Sequence, residues 1–162
     1  MLGSDYRDQN CSVARTLEVM GERWSMLVLR DAFLGVRRFD DFQRSLGLSR
    51  NVLAARLARL VELGVLRKER YSERPQRFEY RLTERGRDLF PVLLALADWG
   101  DRHAPTEAGP PRVFVHRGCG GTIDPRHLRC EACGTDVDDP RAMEARPGPG
   151  AQAPPGTLAT QH

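Results

Sequence analysis

No run of about 18 or more apolar residues occurs in the 162-residue chain, so no membrane-spanning helix is expected. The first ten residues, MLGSDYRDQN, are polar and hold no apolar segment with a cleavage site, so no secretion signal is expected. The chain is therefore read as cytoplasmic. Cysteine is scarce at four residues, and in a reducing compartment these are thiols or metal ligands before they are disulfides. Cross-links are not required either, because a core of roughly 100 residues buries enough apolar surface to fold alone. Paired catalytic carboxylates, a nucleophile–base signature and a phosphate-binding glycine loop are all missing, so no enzyme is expected. Internal repeats are missing too. The length fits one domain plus an extension.

What is present is an uneven distribution of charge. The net charge is only +3, yet residues 36–87 hold 14 Lys+Arg against 7 Asp+Glu, while the rest of the chain holds 11 against 15. A basic block in an otherwise acidic chain is the footprint of a nucleic-acid face, although a charge run alone can equally be solvated surface.

The apolar spacing gives the order of elements. Val13, Ala14, Leu17 and Met20 form a helical stripe that Gly21 ends, and Trp24, Leu27, Val28 and Leu34 mark a broader, more central helix closed by Gly35. Phe39, Phe42 and Leu46 give a short third helix. Gly47 makes a turn, Ser49 is placed to N-cap, and Leu53, Leu57, Leu60 and Val61 form the inward stripe of a fourth helix ending at Gly64. The outward positions of that helix are Asn51, Ala55, Arg59 and Glu62, with Arg56 on a flank and Arg50 in the first turn. Residues 65–71 and 78–82 read as a two-stranded hairpin with a polar, basic loop at 72–77. Thr83 can cap a last long helix through His103, in which Pro91 is expected to impose a kink. The fold class is thus mainly α (α+β), a winged helix-turn-helix with a two-stranded β-wing. The expected boundaries are 1–103 for that domain, 104–112 for a linker, 113–138 for a small cysteine-bearing segment and 139–162 for a disordered tail. Between Ala145 and His162, 11 of 18 residues are Pro, Gly or Ala.

Cys11 with the following VARTLEVMGERWSMLVLRDAFLGVRRFDDFQRSLG, then SRNVLAARLARLVELGVL, then ERPQRFEYRLTERGRDLFPVLLALADWG, resembles the HxlR-type transcriptional regulators, which are MarR-like. The resemblance runs from about Cys11 to Gly100 and implies a dimeric winged-helix regulator of bacterial transcription, a repressor or an activator. In such a fold the recognition helix presents its first turns to base edges in the major groove. Asn51 has the donor and acceptor that suit adenine, and Arg50 or Arg56 the fork that suits guanine. Arg59 is expected at a phosphate, or paired with a neighbouring Glu. Arg38 is expected on the backbone, and Arg74 and Arg77 at the hairpin tip on an adjacent groove or backbone. Ser49 and Ala55 complete the DNA-binding set. A homodimer is expected through Leu2, Tyr6, Phe90, Leu94 and Trp99, acting as a repressor on a near-palindromic operator of double-stranded DNA, with a small-molecule or redox effector possible.

His116-x2-Cys119, ten residues, then Cys130-x2-Cys133 can aim four soft ligands at one tetrahedral, structural zinc, with His127 as an alternative to His116. This looks like a zinc-ribbon-like segment; a redox pair at Cys130 and Cys133 is the other reading. Cys11 aligns with a cysteine that senses oxidants in some members of the resembled family, and a small buried residue would look the same in sequence. The alternatives to a DNA-reading regulator are a zinc-ribbon protein-interaction adaptor and a redox-responsive regulator sensing through Cys11.

Overall fold

The apolar spacing of the first third of the chain folds into two nine-residue helices, α1 (Ser12–Met20) and α2 (Ser25–Phe33). The computed structural model describes residue 6 and residues 9–151. α2 is central: Val28 and Leu29 are fully buried, and Ser25 and Asp31 are buried beside them. The Asp31 carboxylate is held by Arg30 at 2.7 Å, which supplies the partner that a buried charge requires. α1 departs from expectation. Ala14 and Met20 turn inward, but Val13 and Leu17 are exposed. Its main neighbour is α2, and one packed helix covers only one side of another.

α3 (Phe39–Leu46) has the expected bounds and buries Phe42 completely. It stops at Gly47, whose φ of 65° is a conformation that glycine enters without a Cβ penalty. Ser49 then takes extended backbone and accepts a 3.4 Å hydrogen bond from the Val52 amide, starting α4 (Arg50–Glu62). Leu53, Leu57 and Leu60 are fully buried, each stabilising the domain by about 1.5–3 kcal/mol. Val61, expected in the same stripe, is half-buried.

Strands β1 (Leu66–Glu73) and β2 (Gln76–Leu82) form the wing, antiparallel from Leu66–Leu82 to Glu73–Gln76, with a bulge at Tyr71. The expected six-residue loop contracts to a turn at Arg74-Pro75, because backbone pairing continues through polar residues that carry no apolar alternation. The Thr83 hydroxyl donates to the Gly64 carbonyl at 2.6 Å and accepts from the Gly86 amide at 3.0 Å. It therefore ties the end of α4 to the cap of α5 (Glu84–Arg87). The expected long helix is interrupted here. α6 (Phe90–His103) starts afresh with Pro91 in its first turn, where the missing amide costs no hydrogen bond. Proline thus breaks the helix instead of kinking it.

The fold divides into two compact units between Arg87 and Asp88, which puts α6 in the C-terminal unit, whereas the expected boundary at 103 follows the end of that helix. In that unit β3 (Arg112–His116) pairs antiparallel with β6 (Met143–Pro147), and β4 (Ile123–Asp124) with β5 (Arg129–Cys130). Val115, Ile123, Cys130, Val137 and Met143 are buried. A disordered tail from residue 139 is therefore corrected: residues 140–142 form a 3-10 turn and 143–147 a strand. Of the strand's own residues, MEARP, only Met143 is a large apolar residue that would mark it in the sequence, and its partner is the backbone of β3. The linker is also tied down, with Gly148 and Gly150 amides donating to Pro111 and Pro110 carbonyls at 3.0 and 3.1 Å. The rest of the expected tail, 152–162, lies outside the described residues, as does Leu2. No helix among the described residues is long and apolar enough to cross a membrane.

Candidate nucleic-acid interface and metal centre

The inward stripe of α4 fixes what its other side presents. At about 100° per residue, burial of Leu53, Leu57 and Leu60 turns Asn51, Ala54, Ala55 and Ala58 outward, and all four are exposed. The first turn contains no acidic residue, so no side chain of the helix itself offsets the positive end of its dipole, where an anionic ligand would approach.

Arg50 is exposed at that end but engaged. Its guanidinium lies 4.7 Å over the Phe39 ring and donates to Asp40 Oδ1 at 3.0 Å and Gln43 Oε1 at 3.1 Å. An exposed pair of this kind is worth about 0.2–1 kcal/mol, so it exchanges readily for a stronger acceptor. Arg59 pairs with Glu62 at 2.8 Å, at a spacing of three rather than the expected four. Arg56 differs from expectation. It is only 21% exposed and pairs with Glu22, bracing α4 against the α1–α2 junction instead of offering its fork to a base. Arg38 begins α3 and stacks 4.9 Å over Tyr71 of the wing, while Arg74 and Arg77 are exposed at the wing tip. Arg38, Ser49, Arg50, Asn51, Ala55 and Arg59, on α3, α4 and their caps, belong to the same compact unit as the tip arginines. Sequence reading missed Val52, 39% exposed in the first turn of α4. The signal was there in its angular position, but an apolar residue beside Leu53 reads as core.

In the C-terminal unit, the one Nδ1 or Nε2 and three Sγ atoms of His116, Cys119, Cys130 and Cys133 lie within 4.8 Å of one another. Cys119 Sγ is 3.4 Å from both His116 Nδ1 and Cys130 Sγ, and Cys133 Sγ is 3.3 Å from His116 Nδ1. Tetrahedral zinc–sulfur bonds of about 2.3 Å separate ligand sulfurs by roughly 3.8 Å, so the set is close to a metal-binding geometry. Two backbone knuckles deliver it. Gly120 and Gly134 both have positive φ, and their amides donate to His116 and Cys130 carbonyls at 2.7 and 2.9 Å. At Gly121 a Cβ would meet Cys130 Sγ at 2.9 Å and Ala132 Cβ at 2.4 Å, so only glycine lets the two knuckles close. Hydroxyl and amide of Thr135 donating to the Cys133 thiolate lower its pKa to about 6. At Cys119 the Gly121 amide also favours the thiolate, but the neighbouring Cys130 and Cys133 sulfurs and burial push that thiol up overall. His127 stands apart from the cluster, exposed on the β4–β5 turn and 2.5 Å from Asp124, so His116 is the imidazole that joins the three thiols. Cys11, expected as exposed sensor or buried residue, is exposed at the N-cap of α1.

Comparison with known proteins agrees with this architecture. Residues 19–108 match the family model described as HxlR-like helix-turn-helix. The chain is 48% identical over 148 residues to the HTH-type transcriptional regulator MT3179 of Mycobacterium tuberculosis (strain CDC 1551 / Oshkosh), covering 91% of this chain and 92% of the relative. Among solved structures it is similar to PA1607, a candidate transcription factor (42% identity, 80% of this chain and 90% of that chain, TM-score 0.68). It is also similar to the redox regulator HypR in its reduced form (30% identity, 58% and 94%, TM-score 0.54). A match of 148 residues is too long to lie within 19–108, so the likeness to MT3179 reaches the C-terminal unit. The winged helix, its exposed α4 and these matches together lead to one assignment: the chain belongs to the HxlR-like helix-turn-helix family of transcriptional regulators.

Proposed function

We propose that the protein is a cytoplasmic repressor that binds a near-palindromic operator as a homodimer, with a structural zinc in its C-terminal unit. The carrying observation is the outward face of α4, where an exposed Asn51 and three alanines leave the helix backbone open to a groove. Asn51 reads adenine, and Arg50 leaves Asp40 to read guanine. Ser49 and Ala55 let the helix start approach closely, while Arg38, Arg59, Arg74 and Arg77 hold phosphates and set register. The dimer is supported by exposed apolar side chains: Val92, Leu96 and Trp99 along one face of α6, and Val13 and Leu17 on α1. Phe90 and Leu94, first assigned to the dimer, are buried within the chain and serve its core. Three thiols and an imidazole form a soft, closed set that suits zinc and leaves no open position for a reacting water.

Replacing Asn51 by Ala weakens binding by about 1–3 kcal/mol at one base pair of each half-site, and relaxes preference there alone. Binding titrations over a set of single-base operator variants measure this. Equal weakening on every sequence would assign Asn51 to the phosphates.

A second reading is favoured by the exposure of Cys11 and by the likeness to a protein described as a redox regulator: the thiol at the start of α1 carries an oxidant signal. In that case a Cys11→Ser protein still binds the operator but no longer responds to peroxide, in the same gel-shift assay. Operator binding by the natural protein that ignores peroxide would remove this reading.

A further inference from the structure

We infer that Val52 reads the C5 methyl of one thymine in each half-site, so that part of the base preference is apolar. The inference rests on the DNA-reading role of α4 proposed above. Val52 is 39% exposed, and it is the one exposed large apolar side chain of α4 among the described residues. Its position in the first helical turn, immediately after Asn51, is where a recognition helix meets base edges. At about 100° per residue it lies roughly 60° from Ala55 and roughly 20° from Arg59 around the helix. It therefore shares the flank of the outward face that also holds a cation for the phosphates.

A β-branched residue exposed in a helix loses side-chain freedom against the preceding turn and gains no packing in return. The same stiffness makes it a good reader. Its two methyls are already fixed, so contact immobilises nothing further. Ala54, Ala55 and Ala58 reach no farther than Cβ and do not hold the backbone away from a groove floor. Arg56, the long side chain one turn on and about 40° round the helix, is held by Glu22 and only 21% exposed, and Arg50 projects roughly 160° away from Val52, so neither covers it. In the major groove thymine alone presents an apolar group, its C5 methyl. An exposed, rigid, apolar knob beside an amide reader matches that group and no other base edge.

The test uses the full-length protein and an operator duplex in which each thymine in turn is replaced by deoxyuridine, which removes the methyl and keeps every hydrogen bond. For the natural protein, one thymine per half-site is expected to lower affinity about fourfold when replaced, and about fifteenfold when both are replaced. Val52→Ala, a change at an exposed site, is expected to bind normal and uracil-bearing duplexes equally at that position while keeping its preference at the Asn51 base pair. Uracil substitution without effect at every thymine, or an effect undiminished in Val52→Ala, would overturn the inference. Failure to prefer operator over random DNA would instead overturn the reading of α4 itself, and the inference with it.

Discussion

Removing the metal by chelation, or replacing Cys130 by Ser, is expected to unfold the residues from β3 to β6 while the winged helix keeps its structure. The C-terminal strands cannot stand without a further cross-link. β4 and β5 are two residues each, and the buried side chains are Val115, Ile123, Cys130, Val137 and Met143. Apart from α6, which adds Phe90 and Leu94 to the same unit, the residues from β3 to β6 have so small a core that a metal or a disulfide is expected to hold them. Their four cysteine-histidine ligands can supply that, since structural zinc contributes an apparent 10–16 kcal/mol or so in zinc-finger peptides near neutral pH. Cys130 is the ligand to change, because it is buried and sits in the β5 pairing with Ile123. Metal analysis should give one zinc per chain, and hydrogen exchange should show residues 112–147 losing protection after chelation while 12–87 do not. Uptake should also release protons from the thiols that bind, Cys119 with its raised pKa among them and Cys133, lowered to about 6, the least. Complete labelling of all four cysteines in the native protein without a chelator would contradict this account.

A charge on the exposed face of α6 is expected to cost as much in function as the metal does in folding. Leu96 is 51% and Trp99, beside the His103 ring, 58% exposed, an area of apolar surface left open to solvent. If a second copy covers it, Leu96→Glu or Trp99→Glu separates the copies without disturbing the fold, because neither residue contributes to the buried core. Two half-sites then bind independently, and the loss of linkage lowers operator affinity by roughly 100-fold or more. Light scattering should give the mass of two chains for the natural protein and of one for either variant, with circular dichroism unchanged. A natural protein that is monomeric at micromolar concentration would remove the dimer from the account.

Different parts of the molecule were legible to different degrees, and the reasons are physical. α3, the Gly47 turn, the Ser49 cap and the buried leucines of α4 follow from local rules, because a glycine at positive φ and a capping hydroxyl act within a few residues of themselves. The metal set was legible for the same reason, as two short ligand pairs each closed by glycine. Tertiary facts were not. Val13 and Leu17 have core spacing but lack a neighbour to cover them, and Phe90 and Leu94 look like interface residues but are buried. The division between Arg87 and Asp88 depends on which long-range packing is densest, which composition does not report; it only shifts the linker signal to residue 104. β6 was invisible because its stability lies in the backbone of β3. In the site itself, Arg56 was indistinguishable from Arg50 by type. Only the position of Glu22 in space decides that one is braced inward and the other stays at the surface.

The central claim is that α4 reads operator DNA as one of two copies. Nuclease footprinting of the promoter that flanks its own gene, over a range of salt and with random competitor DNA, tests it most directly. The expected result is a protected site with two related halves about one helical turn apart. Competitor should not displace the protein, and affinity should fall steeply with salt as phosphate contacts release counterions. Protection that random DNA abolishes, or none at all, would contradict it.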